Sequence, residues 1–127
     1  MPVKQFSSRF QIDGHSVGKG CPVYIIAEAG VAHFGNEEKA YQLVDLAVEA
    51  GANAVKFQIF DVDEMIAKES QEWKERLLSR QLPYKSFERI QAYCLEKKIT
   101  FFATAHDEPS LEFLATLDVP VYKVGSG

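Results

Sequence analysis

Four short apolar runs punctuate the chain: Tyr24 to Ala27, Ala52 to Phe60, Ile99 to Thr104 and Val119 to Val124. Runs of this length and composition predict strands of a parallel sheet, the first of them, almost wholly apolar, buried on both faces. After the first run, Asn36 is an N-cap residue followed by Glu37 and Glu38. Ala40, Leu43, Val44, Ala47 and Val48 then fall on one helical face, and Gly51 stands where a helix-ending glycine belongs. Residues 61–82 read as an insertion whose second half is helical, with a solvated amphipathic stretch from Trp73 to Leu78 and a stop at Pro83. A helix from about Tyr84 to Lys97 places Phe87, Ile90 and Cys94 together, and another from Glu108 has Asp107 as N-cap and Pro109 in its first turn. Ahead of all this, residues 1–21 alternate around Asp13-Gly14, a hairpin signal.

The order is a hairpin followed by β-α-β-α-β-α-β, which means an α/β fold with parallel strands. The division is residues 1–21 as a small β-hairpin, plugging one end of the main fold, and residues 22–127 as the βα repeats. Periodicity alone does not separate an open doubly wound sheet from half of a (β/α)₈ TIM barrel. At 127 residues the chain is one domain by length and well short of the roughly 250 residues of a complete barrel.

Composition narrows the partners. The chain is 46% hydrophobic and 25% charged, with a net charge of -4 and no cluster of Lys and Arg. Nucleic acid and acidic membrane surfaces are therefore not expected partners, since counterion release needs clustered cations. Cys21 and Cys94 match neither a disulfide framework nor zinc-ligand spacing. No leader pattern and no membrane-length apolar run is present, so a cytoplasmic protein is expected.

Ligands of parallel α/β folds bind at the carboxyl ends of the strands. There the first strand offers Glu28, the second Lys56 and Gln58 on the face opposite Val55 and Phe57, and the third Thr104 and then His106. The fourth offers Lys123, and then Ser126 between two glycines. Two lysines, two hydroxyls and a glycine-rich turn suit a phosphorylated or carboxylated ligand. The competing reading for either lysine is a buried salt bridge, for instance with Glu28. His33 could hydrogen-bond a substrate or simply cap its loop, and His15 carries no assigned role.

The stretches "YIIAEAGVAHFGN", "AVEAGANAVKFQ", "FFATAHDEPSLEFL" and "VPVYKVGSG" resemble, in order, the strand-end motifs of the sialic acid synthase family. The resemblance runs from Pro22 to Gly127. It implies the first half of a (β/α)₈ barrel, which in the family continues into a small antifreeze-like domain. It also implies condensation of phosphoenolpyruvate with N-acetylmannosamine or a related amino sugar. Lys56, Lys123, Thr104 and Ser126 would hold the phosphate and carboxylate of phosphoenolpyruvate, with Glu28 at the reacting centre and Gln58 near the sugar. A divalent metal, Mn²⁺ or Mg²⁺, would polarise the sugar aldehyde, with histidine ligands from later strands that are not in this sequence.

Two stretches depart from the family. Gly30-Val31-Ala32-His33-Phe34-Gly35 lacks the two amides of the usual Gly-Ile-Asn-His-Asn-Gly, which opens the choice of sugar. Ala103-Thr104-Ala105-His106-Asp107 replaces Ser-Thr-Pro-Phe-Asp but keeps the hydroxyl. A half-barrel leaves free edges at its first and fourth strands, so a homo-oligomer is expected and turnover by this chain alone is not. Two other functions fit parts of the pattern: a non-catalytic module binding a phosphorylated metabolite, and a phosphate-binding aldolase with a Schiff-base lysine.

Overall fold

The computed structural model describes residues 6–126; residues 1–5 and Gly127, the second glycine around Ser126, lie outside the described residues. Strands β1 (Arg9–Ile12) and β2 (His15–Gly18) pair antiparallel with Ile12 opposite His15. The turn between them has positive φ at both Asp13 (50°) and Gly14 (81°), the geometry that matches the twist of a two-residue hairpin.

The main sheet has three parallel strands in the order β3 (Ile26–Gly30), β4 (Ala54–Ile59), β5 (Thr100–Ala105). Helix α1 (Glu37–Glu49) links β3 to β4. The β4–β5 connection carries α2 (Val62–Met65), α3 (Gln71–Leu78) and α4 (Tyr84–Glu96), and α5 (Glu108–Thr116) follows β5. The expected caps form: the Asn36 side chain accepts the Lys39 N–H at 3.0 Å, and the Asp107 side chain accepts that of Ser110 at 2.8 Å. Gly51, at φ 73°, ends α1 in the left-handed conformation. No helix among the described residues is long and apolar enough to cross a membrane.

Burial divides β4 and β5 by alternation. Val55, Phe57, Ile59, Phe101 and Ala103 face the helices and form the core with Ala40, Val44 and Ala47 of α1 and Phe87, Ile90 and Cys94 of α4. Phe57 is its centre, 5.9 Å from the Phe101 ring and 6.3 Å from that of Phe87. The opposite alternation carries Glu28, Lys56, Gln58, Phe102 and Thr104, set side by side by the register Glu28↔Lys56↔Phe102 and Gln58↔Thr104. The hairpin meets the other end of the sheet: the Thr100 hydroxyl, on the first residue of β5, donates to Asp13 at 2.8 Å.

Two expectations are corrected. Val119 to Val124 is not a strand: only Val119 enters the core, and Val124 is 85% exposed, so the burial that favours an extended apolar run is missing. The first strand is not buried on both faces. It begins at Ile26, two residues later than its apolar run, and lies at the edge of the three-stranded sheet with Ile25 and Ile26 largely open to solvent.

Candidate active site

The carboxyl end of the sheet is built around Lys56. As the third residue of a central strand it is fixed by ladders on both sides, and its side chain is only 15% exposed. Its Nζ lies 2.5 Å from Glu28 Oε2 on β3 and 3.5 Å from Thr104 Oγ1 on β5, the second a weak contact. Both readings of this lysine therefore meet in one place: it is paired with Glu28, and it also points a cation toward a hydroxyl on the next strand. Glu28 is the open partner, its side chain 49% exposed.

Gly30 makes room for this arrangement. With φ 54°, a Cβ here would stand 3.1 Å from Glu28 Oε1 and 3.5 Å from Gln58 Nε2. The register slips between Glu28 and Gly30, so β3 bends away just above the carboxylate. Gln58, half-buried one pleat beyond Lys56, thus joins Glu28, Lys56 and Thr104 on the same face.

The remaining candidates lie elsewhere. His33 is fully buried against the helix-facing ring of Phe57, 6.2 Å away, and its Nδ1 accepts the Gly35 N–H at 3.0 Å. Burial holds its pKa down at about 4, so the imidazole is neutral at pH 7, and Nε2 finds no partner among the described residues. It caps its loop from within the core and does not face Lys56. Lys123 is exposed and donates to the carbonyl of Val124, and Ser126 is exposed without a hydrogen bond among the described residues. Neither reaches Lys56, because the segment expected to carry them forms no ladder with β5. Gly125 does come back to the carboxyl end, where a Cβ would lie 3.3 Å from Thr104 Cγ2 and 3.8 Å from His106 Cε1.

Asp107 has a second function that capping statistics did not reveal. While Oδ1 caps α5, Oδ2 accepts the Asp61 N–H at 2.7 Å, tying the loop after β5 to the loop after β4. Its position directly after a strand end was the signal available. Among the described residues no three His, Cys, Asp or Glu side chains converge as a metal site, and Glu28 is the single carboxylate beside Lys56.

Comparison with known proteins bears on this geometry. The NeuB family model matches residues 43–127. The spore coat polysaccharide biosynthesis protein SpsE of Bacillus subtilis is 38% identical over 127 residues, covering 92% of this chain and 34% of that protein. The N-acetylneuraminate-9-phosphate synthase of Drosophila melanogaster is 38% identical over 120 residues, covering 83% and 32%. Among solved structures, an N-acetylneuraminic acid synthetase from Leptospira borgpetersenii, crystallised with citrate, superposes with a TM-score of 0.87 at 32% identity, covering 93% of this chain and 41% of that one. The chain spans about one third of the length of the curated relatives it matches.

Proposed function

The chain belongs to the NeuB family, whose members matched here include sialic and legionaminic acid synthases, and on that premise we propose that it supplies the phosphoenolpyruvate-binding strands of such a synthase. The reaction is the condensation of phosphoenolpyruvate with an N-acetylated amino sugar, releasing phosphate. The observation that carries this reading is the seat of Lys56: a cation held between a carboxylate and a hydroxyl at the carboxyl ends of three parallel strands.

An incoming anion competes with Glu28 for the Lys56 ammonium, and the Thr104 hydroxyl donates to a second anionic oxygen. Glu28, displaced but still beside the ligand, then faces the reacting carbons. C3 of phosphoenolpyruvate bonds to the aldehyde carbon of the sugar, and the aldehyde oxygen takes a proton. The positive charge left at C2 is stabilised by the Glu28 carboxylate and quenched by water, whose proton Glu28 accepts. The C2–O bond to the phosphate then breaks with its electron pair as the new C2 hydroxyl closes to the carbonyl and gives up its proton to the departing phosphate, which leaves. Gln58 offers an amide to the sugar. The divalent metal that the family resemblance implies finds no ligand set among the described residues, so no step above depends on it.

A calorimetric titration of the chain with phosphoenolpyruvate tests the reading. Saturable binding that Lys56→Ala abolishes supports it; a folded chain that gives no binding heat counts against an anion site on these strands.

A further inference from the structure

His106 stands at the carboxyl end of the sheet without a part in the reaction just described. It continues the alternation of β5, so Phe102, Thr104 and His106 share the face that carries Lys56 and Gln58. Although β5 ends at Ala105, the His106 N–H still donates to the carbonyl of Ile59 at 3.0 Å. The next residue, Asp107, is tied both to α5 and to the loop after β4. The backbone that aims the imidazole is therefore held on both sides.

The ring is exposed, yet it leans back over the site. It meets the buried ring of Phe60 edge-to-face, with centroids 6.5 Å apart and planes at 71°. A Cβ on Gly125 would stand 3.8 Å from His106 Cε1 and 3.3 Å from Thr104 Cγ2, so the ring tip between the two nitrogens and the threonine side chain converge on one point. Among the described residues no hydrogen bond or ion pair occupies those nitrogens. The adjacent carboxylate does not compete for them, because both Asp107 oxygens are taken by the backbone N–H groups of Ser110 and Asp61.

The number of oxygens on an anion decides what such a donor recognises. A carboxylate has two, and Lys56 and Thr104 together supply a donor for each. A phosphate monoester presents three terminal oxygens, so the third needs a donor outside that pair. His106 lies one pleat beyond Thr104, about 6.6 Å along the strand, and an imidazole carries an N–H whether neutral or charged.

We infer that His106 is a specificity-determining residue of this site, donating from its imidazole to the third oxygen of a phosphate held by Lys56 and Thr104. The inference rests on the proposed phosphoenolpyruvate reading and adds how these strands tell that substrate from carboxylates that lack the phosphate.

Calorimetric titrations with phosphoenolpyruvate and with pyruvate, which has the carboxylate and no phosphate, compare wild type, His106→Phe and His106→Gln. Phenylalanine keeps a ring against Phe60 and removes the donor, whereas glutamine keeps a donor. The preference for phosphoenolpyruvate falls at least about tenfold in His106→Phe and stays within about threefold of wild type in His106→Gln. In wild type the imidazole resonances of His106, assigned by their loss in either variant, shift during the phosphoenolpyruvate titration and saturate at the calorimetric affinity. A preference unchanged in His106→Phe, an equal loss in both variants, or His106 resonances that stay still would overturn the inference and leave the phosphoenolpyruvate reading standing. A wild-type chain that binds phosphoenolpyruvate no better than pyruvate does the same, and one that does not bind phosphoenolpyruvate at all overturns both.

Discussion

Lys56 and Glu28 meet across the β3–β4 ladder with Nζ 2.5 Å from Oε2, and of the two only the carboxylate is open to solvent. A pair so arranged is a latch that an anionic ligand can open from the glutamate side. Replacing Lys56 by alanine removes a charge-assisted contact worth about 1.5–3 kcal/mol, so phosphoenolpyruvate affinity should fall by roughly tenfold or more. Lys123→Ala should change it less than about twofold, since 1.4 kcal/mol is a factor of ten and Lys123 makes no contact with the site. Calorimetry on the two variants side by side decides it; equal losses would mean that the last residues fold onto β5 when ligand binds.

Gly35 carries the packing of the first loop on the α3–α4 connection. At φ 71° it is in a region that side chains rarely adopt, and an added Cβ would meet Ser79 O at 2.8 Å and Gln81 O at 3.4 Å, both backbone atoms. Gly35→Ala should therefore destabilise the chain by about 1–3 kcal/mol, read as a lower urea midpoint at unchanged slope. Gly51→Ala offers the comparison: its φ is 73° but nothing lies within 4 Å of the added carbon, so the loss there reflects backbone conformation alone and should be smaller.

Much of this organisation was legible from the pattern of residues. The caps at Asn36 and Asp107, the Asp13-Gly14 turn and the face shared by Lys56 and Gln58 all follow from local rules that tertiary contacts reinforce. What local rules could not supply was position in the sheet. Tyr24 to Ala27 and Val119 to Val124 are apolar enough for buried strands, yet one lies partly outside a strand at an edge and the other forms none, because burial depends on neighbours that periodicity does not reveal. His33 was ambiguous for a related reason. A loop histidine reads as polar and available, and only its packing on Phe57 shows that it belongs to the core.

That burial has a consequence for pH. The ordinary pKa of His33 is 6.5 and burial lowers it to about 4, so the folded state favours the neutral ring. Protons bind the unfolded chain more readily, and stability present in full above pH 6.5 is lost as pH falls from 6.5 toward 4. Denaturant midpoints measured across this window should decline, and His33→Gln should flatten the decline whatever it does to the midpoint at pH 7. An unchanged slope in the variant would assign the effect to other groups.

Glu37 acts in a lower window. Arg89 donates to both its oxygens at 2.7 Å and Tyr41 adds a third hydrogen bond, which together pull its carboxyl from 4.5 to about 2. Here the folded state favours the charged form, so the clamp between α1 and α4 contributes above pH 4.5 and is lost as pH falls from 4.5 toward 2. Glu37→Gln should lower stability at pH 7 and reduce the acid-limb slope below pH 4.5, leaving the His33 window intact. Acid titrations followed by circular dichroism separate the two.

The free edge of β3 leads to the last expectation. Val23, Ile25 and Ile26 are 84%, 54% and 43% exposed, and Leu46 of α1 adds 59% beside them. Between β3 and α1 lies a groove of about 190 Å³, apolar except for Glu28, lined by Ala27, Glu28, Ala29, Leu43, Leu46, Ala47, Ala50 and Val55. A strand edge unpaired among the described residues and flanked by apolar side chains offers both ladder hydrogen bonds and burial to another strand. A second copy of this chain presents the same edge, so self-association through β3 is expected in solution. Light scattering should give a mass above that of one 14.3 kDa chain. Ile26→Lys should return it to monomer, because a charge on the edge strand costs desolvation in the pair and nothing in the single chain. A wild-type monomer, or an oligomer indifferent to Ile26→Lys, would place the contact elsewhere or remove it.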